Sequence, residues 1–122
     1  MSNVFGNVIS RYTRKDAIED GVLVDLSSKY PNDTRIYKYP VACTDTIWNM
    51  IEKACEKTRE DLGAYVWDLC YMSLNAKIKI LDEASFIFTC GIPLNKQQLF
   101  KFVVSGGDKG EPVITIMMPD ED

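Results

Sequence analysis

The 122-residue chain contains no histidine. That absence removes the Ser-His and Cys-His nucleophile pairs and the commonest general base. It also removes the usual ligand of catalytic zinc. Cysteine is present but never as a close pair: Cys43, Cys55, Cys70 and Cys90 are far apart, each among apolar residues. Such a setting suits buried hydrophobes better than metal ligands, and widely spaced thiols fit a reducing cytoplasm. No run approaches 18 consecutive apolar residues, so no membrane span is expected. The opening MSNVFGNVIS lacks the basic flank and apolar stretch of a secretory signal. Five carboxylates near the end, Asp108, Glu111, Asp120, Glu121 and Asp122, do not have the spacing of a calcium-binding loop. No catalytic residue, metal site or cofactor is expected.

An excess of positive charge is also missing. Fourteen Lys and Arg stand against 18 Asp and Glu, a net charge of −4. Such a chain is not a polyanion binder, and direct nucleic-acid binding is not expected. The two signs are interspersed, which argues equally against an acidic mimic of a phosphate array. With 46% hydrophobic residues and 26% charged, the composition is that of an ordinary globular domain. At this length one domain, 1–122, is the default, with 119–122 read as an exposed acidic tail.

The best-specified local element is YTRKDAIEDGVLVD, Tyr12–Asp25. Thr13 followed three residues later by Asp16 is a near capping box, and Gly21 is a natural left-handed residue past a helix end. A helix of about two turns follows, too short to stand without packing. SSKYPNDT (Ser27–Thr34) reads as a loop. RIYKYPVAC alternates as a strand does, with Pro40 confining it to an edge or a terminus. Thr44 or Asp45 opens a helix through about Cys55, where Ile47, Trp48, Ile51, Ala54 and Cys55 form one apolar stripe. Gly63 breaks the run. A second helix from about Ala64 to Leu81 places Trp67, Cys70, Tyr71, Leu74, Ile78 and Leu81 on one face. Its segment AKIKI also alternates; helix is preferred there because the 3.6-residue period continues. From Ser85 the pattern turns to strands, SFIFTC, LFKFVVS and PVITIMM, joined by short turn-like segments that favour an antiparallel meander. The expected fold is α+β: a short N-terminal helix and two longer helices packed on one face of a three- to four-stranded, mainly antiparallel sheet.

Three groups could carry a function. Arg11, Tyr12 and Arg14 at a helix start, with Asp20 and Asp25 after it, could hold a carboxylate or phosphate of a small molecule or nucleotide. The bland alternative is a capped surface helix whose charges pair weakly or face water. Tyr37, Tyr39, Trp48, Trp67, Met117 and Met118 are candidate contact residues, since Tyr and Trp are enriched at interface hot spots and Met adapts at binding surfaces. At these spacings such residues are more often core, and Tyr37 and Tyr39, on the expected edge strand, are the ones least expected to be buried. SGGDKGE (Ser105–Glu111) is glycine-rich but precedes a strand rather than a helix. It therefore reads as a hairpin loop, not a phosphate cradle.

Two stretches of this chain, RYTRKDAIEDGVLVDLS (Arg11–Ser27) and GDKGEPVITIMMPDED (Gly107–Asp122), resemble the two ends of a family of uncharacterised small proteins encoded by phages, plasmids and bacterial genomes. The first pattern falls on Thr13, Arg14, Ala17, Ile18, Asp20, Gly21, Val22, Leu23, Val24 and Asp25. The second falls on Gly107, Asp108, Glu111, Pro112, Val113, Thr115, Ile116, Met117 and Pro119. The middle matches only loosely, through PVACTDTIW and the tryptophan-bearing second helix. The resemblance carries no activity with it. It implies a mobile-element context, a location in the cytoplasm (the host's, where a phage encodes the protein) and action by binding a host or defence-system protein. It leaves the oligomeric state open. A packing expectation follows: the two ends meet, with Asp20 or Asp25 facing the last hairpin.

Overall fold

A computed structural model describes residues 12–92 and 96–121, with four helices and a six-stranded sheet among them. Helix α1 (Arg14–Glu19) starts as its sequence dictates. The Thr13 hydroxyl accepts from Asp16 N at 3.0 Å and the Asp16 carboxylate accepts from Thr13 N at 3.1 Å, a complete capping box despite the short Asp side chain. At the other end Gly21 takes φ 78°. Gly21 N donates to Ile18 O and Val22 N to Ala17 O, the paired bonds of a Schellman end.

Strand β1 (Leu23–Asp25) follows at once, then helix α2 (Leu26–Lys29), capped by Asp25 through Ser28 N and Oγ. Strand β2 is only Val41–Thr44. The longer strand expected from Arg35 is thus corrected, because Pro40 has no N–H and the chain becomes extended and paired only beyond it. Val41 N, the first donor after the proline, goes to Ser27 Oγ at 2.6 Å. Helix α3 (Asp45–Thr58) buries Ile47, Ile51 and Ala54 on the expected stripe and ends at Arg59 in a left-handed conformation, φ 62°.

Helix α4 (Leu62–Asn75) begins earlier and ends sooner than expected. Asp61 caps it by accepting from Ala64 N at 2.6 Å, so Gly63 lies inside the first turn rather than before it. Its buried side is Tyr65, Val66, Leu69, Cys70 and Ser73; Tyr71 and Leu74, from the stripe read in the sequence, are exposed. The helix is apolar around most of its circumference, so period alone could not choose its inner face. AKIKI is corrected as well: after Ala76 the chain forms strand β3 (Lys77–Asp82), exposed along its whole length. Strands β4 (Ser85–Gly91), β5 (Gln97–Gly106) and β6 (Pro112–Met117) form the expected antiparallel meander.

The sheet order is β1-β2-β6-β5-β4-β3. Only β2 and β6 run parallel, with Val41 facing Ile114 and Cys43 facing Ile116. Six strands replace the three or four expected, because β1 is too short to announce itself and β3 was read as helix. One face of the sheet carries Val41, Cys43, Ile114, Ile116, Phe102, Phe100 and Phe88, and these share one core with Ile47 and Ile51 of α3 and Val66 and Leu69 of α4. Phe86 stacks on Phe102 with ring centroids 4.6 Å apart. On the opposite face Ala42, Thr115 and Met117 are buried under α1 and the C-terminal segment. The two long helices therefore share a face, as expected; the placement of the short N-terminal helix beside them is corrected, because Arg14 draws α1 onto Thr115 on the opposite face.

Candidate functional site

The second face of the sheet, between α1 and the C-terminal segment, holds a groove of about 340 Å³. Its floor is Thr115 and Met117 of β6 with Thr44 of β2; Tyr12, Ala17, Val22 and Leu23 wall one side, Asp45 and Glu121 the other. The alternation of PVITIMM explains the floor: Ile114 and Ile116 turn to the main core, so Thr115 and Met117 face the groove.

Two polar clamps fix the walls. In the first, the hairpin loop between β5 and β6 docks on α1: Asp108 Oδ1 accepts from Arg14 N at 2.8 Å and Oδ2 from Lys15 N at 3.0 Å. A carboxylate from the chain itself thus fills the anion position that the free N–H groups of a helix start offer. The Arg14 guanidinium reaches the other way, donating to Thr115 Oγ1 at 2.7 Å and to Ile114 O at 2.8 Å. Burial pulls its pKa down, and the charges of Asp25, Asp108 and Glu111 oppose that. Within the loop Gly107 lies against the Glu111 carboxylate where a Cβ would collide, and Gly110 takes φ 82°.

In the second clamp the C-terminal segment folds back on β2 and β5. Glu121 Oε1 accepts from Thr44 Oγ1 at 2.9 Å and from Met118 N at 2.7 Å, and Oε2 from Thr46 Oγ1 at 3.2 Å. Lys101 Nζ donates to the Glu121 carbonyl. Within the segment expected as an exposed acidic tail, Pro119 and Asp120 are exposed but Glu121 is docked, since three donors at the end of β2, the start of α3 and the end of β6 converge on its carboxylate.

Of the residues singled out in the sequence, Tyr12, Arg14, Asp20 and Asp25 fall around this site. Tyr12 is 57% exposed and its hydroxyl donates to Asp20 Oδ2 at 2.9 Å. That bond is the main reason its pKa is raised, with burial and the charges of Asp20 and Asp16 adding to it. Asp25 caps α2. The described parts of the two signature segments do meet, but through Asp108 and Arg14; Asp20 and Asp25 hydrogen-bond within their own segment. Arg11 lies outside the described residues. Tyr37 and Tyr39 belong elsewhere. Tyr37 is half-buried on the main-core side, hydrogen-bonded to Ser73 and with its ring centroid 5.4 Å from that of Phe102. Tyr39 is exposed beside it in a shallow depression with Arg35 and Lys38. Sequence reasoning missed Thr44, Asp45, Thr115 and Glu121 as site residues, while Met117, one of the contact candidates, does line the groove. The alternation of the last strand was the one signal for Thr115.

Burial pushes the thiols of Cys43, Cys70 and Cys90 up to about 12, so they stay protonated and inert at neutral pH. Among the described residues no group of three or more His, Cys, Asp or Glu side chains is arranged to hold a metal ion. No helix there is long and apolar enough to cross a membrane.

The sequence matches the family described as "Family of unknown function (DUF6573)" over residues 1–122, and the chain belongs to that family. No curated protein and no solved structure matches it.

Proposed function

We propose that the protein works by protein–protein interaction, holding an extended, basic segment of its partner in the groove between α1 and the C-terminal segment. The observation that carries this reading is the groove's make-up: an apolar and hydroxyl floor, an exposed Tyr12 and Val22 at the rim, and the carboxylates of Asp45 and Glu121. An aromatic anchor beside a small apolar floor is the usual core of an interface hot spot. Carboxylates at the edge would steer a lysine- or arginine-bearing segment and fix its register. Nucleotide binding at the start of α1 is the weaker reading, because Asp108 occupies that position. The family resemblance adds a narrower proposal, that the protein has a mobile-element origin and acts in the cytoplasm on a host or defence-system protein as an inhibitor.

The test is a pull-down from bacterial lysate with three chains: wild type, Tyr12→Ala with Asp45→Lys, and Lys57→Glu on α3. A partner retained by wild type and Lys57→Glu and lost from the groove variant supports the proposal. Equal recovery by all three removes the groove from it. A thermal shift with a nucleotide that Arg14→Glu abolishes would favour the small-molecule reading instead.

A further inference from the structure

We infer that the cleft between the α2–β2 loop and the start of α4 binds an organic cation, the head of an alkylguanidinium or alkylammonium group. The cleft measures about 680 Å³, the size of a small-ligand site, and shares no residue with the groove under α1. Two half-buried rings, Tyr30 and Trp67, and two carboxylates, Asp33 and Asp61, line it. Among the described residues no lysine or arginine does.

Local chemistry brings these groups together. The Tyr30 carbonyl accepts from Asp33 N at 3.1 Å and Thr34 N at 3.2 Å, a turn that holds Tyr30 and Asp33 on one loop. Asp61 caps α4, with Oδ1 accepting from Ala64 N at 2.6 Å. Gly63 and Trp67, four residues apart, lie on the same side of that helix. A Cβ on Gly63 would stand 2.7 Å from Asp33 Oδ2 and 3.4 Å from Asp61 Oδ1. The missing side chain therefore lets both carboxylates converge on the helix start.

The charge there is not balanced. The Asp33 carboxylate has no hydrogen bond and no ion pair among the described residues. A helix start supplies roughly half a positive charge, against two carboxylates, so the cleft stays negative. Its neighbours register that field. Burial is the first cause of the raised Tyr30 pKa, and the charges adding to it, from Cys55, Asp33, Asp61 and Glu52, are all of one sign. Carboxylates beside aromatic faces suit an organic cation, whose charge needs the first and whose apolar flank needs the second. The Trp67 ring already holds such a group: Arg35 Cζ stands 5.9 Å from its centroid, although Arg35 lines a separate depression. A bare metal ion fits less well, since no three candidate ligands converge among the described residues.

Amide and indole NMR shifts of the full chain test this, with N-acetylarginine amide and N-acetyllysine amide as probes. Saturable shifts are expected at the Ala64 amide and the Trp67 indole N–H, with none from the neutral N-acetylcitrulline amide. Asp33→Asn should weaken binding at least tenfold. Gly63→Ala should do the same by pushing the Asp33 carboxylate aside; alanine favours a helix over glycine, so unfolding would not explain that loss. Asp45→Asn, in the groove, should bind as wild type does. An alanine peptide carrying one arginine or lysine that binds at least tenfold tighter than the single residue assigns the cation to a protein segment. Equal affinity assigns it to a free small molecule. Absence of saturable shifts at Ala64 and Trp67, equal binding of the citrulline probe, or binding that survives Asp33→Asn or Gly63→Ala overturns the site.

Discussion

The two faces of the sheet are held down in different ways. The face under α3 and α4 is closed by hydrocarbon and rings: Phe88, Phe100, Ile116, Ile47 and Leu69 are all fully buried, and their partners are one another. The face under α1 is closed by polar clamps, with Arg14 and Asp108 on one side of the groove and Glu121 with Lys101 on the other. Apolar burial is non-directional and tolerates no large void. Hydrogen-bonded clamps are directional, and in water each yields a small net gain. The first face should therefore set the stability of the molecule and the second its shape.

The largest expected effect tests the first half of that contrast. Phe88→Ala, in the sheet's main core with its ring centroid 5.7 Å from that of Phe100, should destabilise the chain by about 3–5 kcal/mol. Chemical denaturation would read the loss directly. A value below about 1 kcal/mol would show that this face is not the principal core. Next comes Arg14→Ala, which removes two hydrogen bonds from a half-buried guanidinium and should cost about 2 kcal/mol. A cost equal to that of Phe88→Ala would erase the distinction between the faces.

The same contrast explains what the sequence disclosed. Apolar period placed α3 and the meander, because burial against a core imposes repeats of 3.6 and 2. Local chemistry placed α1, because Thr13, Asp16 and Gly21 act within a few residues of one another. The clamps were not legible. Arg14 and Thr115 are 101 residues apart, and Thr44 and Glu121 are 77 apart, so neither pairing leaves a local pattern. The parallel contact of β2 with β6 is equally non-local. β3 misled for a different reason: Ile78 and Leu81 continued the spacing of α4 without being buried, so the period was a coincidence of composition.

Asp108→Ala should come third, at about 1 kcal/mol, the usual cost of losing a side-chain acceptor at a helix start. Its more telling consequence is local. Without that carboxylate the β5–β6 loop loses its two hydrogen bonds to α1, and amide hydrogen exchange at Arg14 and Lys15 should accelerate while exchange in α3 and α4 stays at the wild-type rate. Faster exchange throughout would mean that the clamp supports the whole fold, and the division between faces would fail.

The smallest effect is expected at the groove rim. The Tyr12 hydroxyl donates to Asp20, and its folded pKa is raised above the ordinary 10.0, first by that hydrogen bond. A tyrosine raised in the folded state contributes stability below the unfolded value, and the contribution is lost as pH rises through the folded one. Tyr12→Phe should thus lower the denaturation midpoint slightly at neutral pH, where the contribution is present, and flatten its decline above pH 10, so that the two profiles converge. Tyr30 and Tyr37, both raised mainly by burial, keep titrating in the variant, so the readout is the difference between the two profiles. Superimposable profiles would mean that the Tyr12–Asp20 bond does not persist in solution. The partner experiment then separates ring from hydroxyl. If the exposed ring is the anchor, Tyr12→Phe retains the partner and Tyr12→Ala releases it, whereas loss with both variants would assign recognition to the hydroxyl and its Asp20 acceptor.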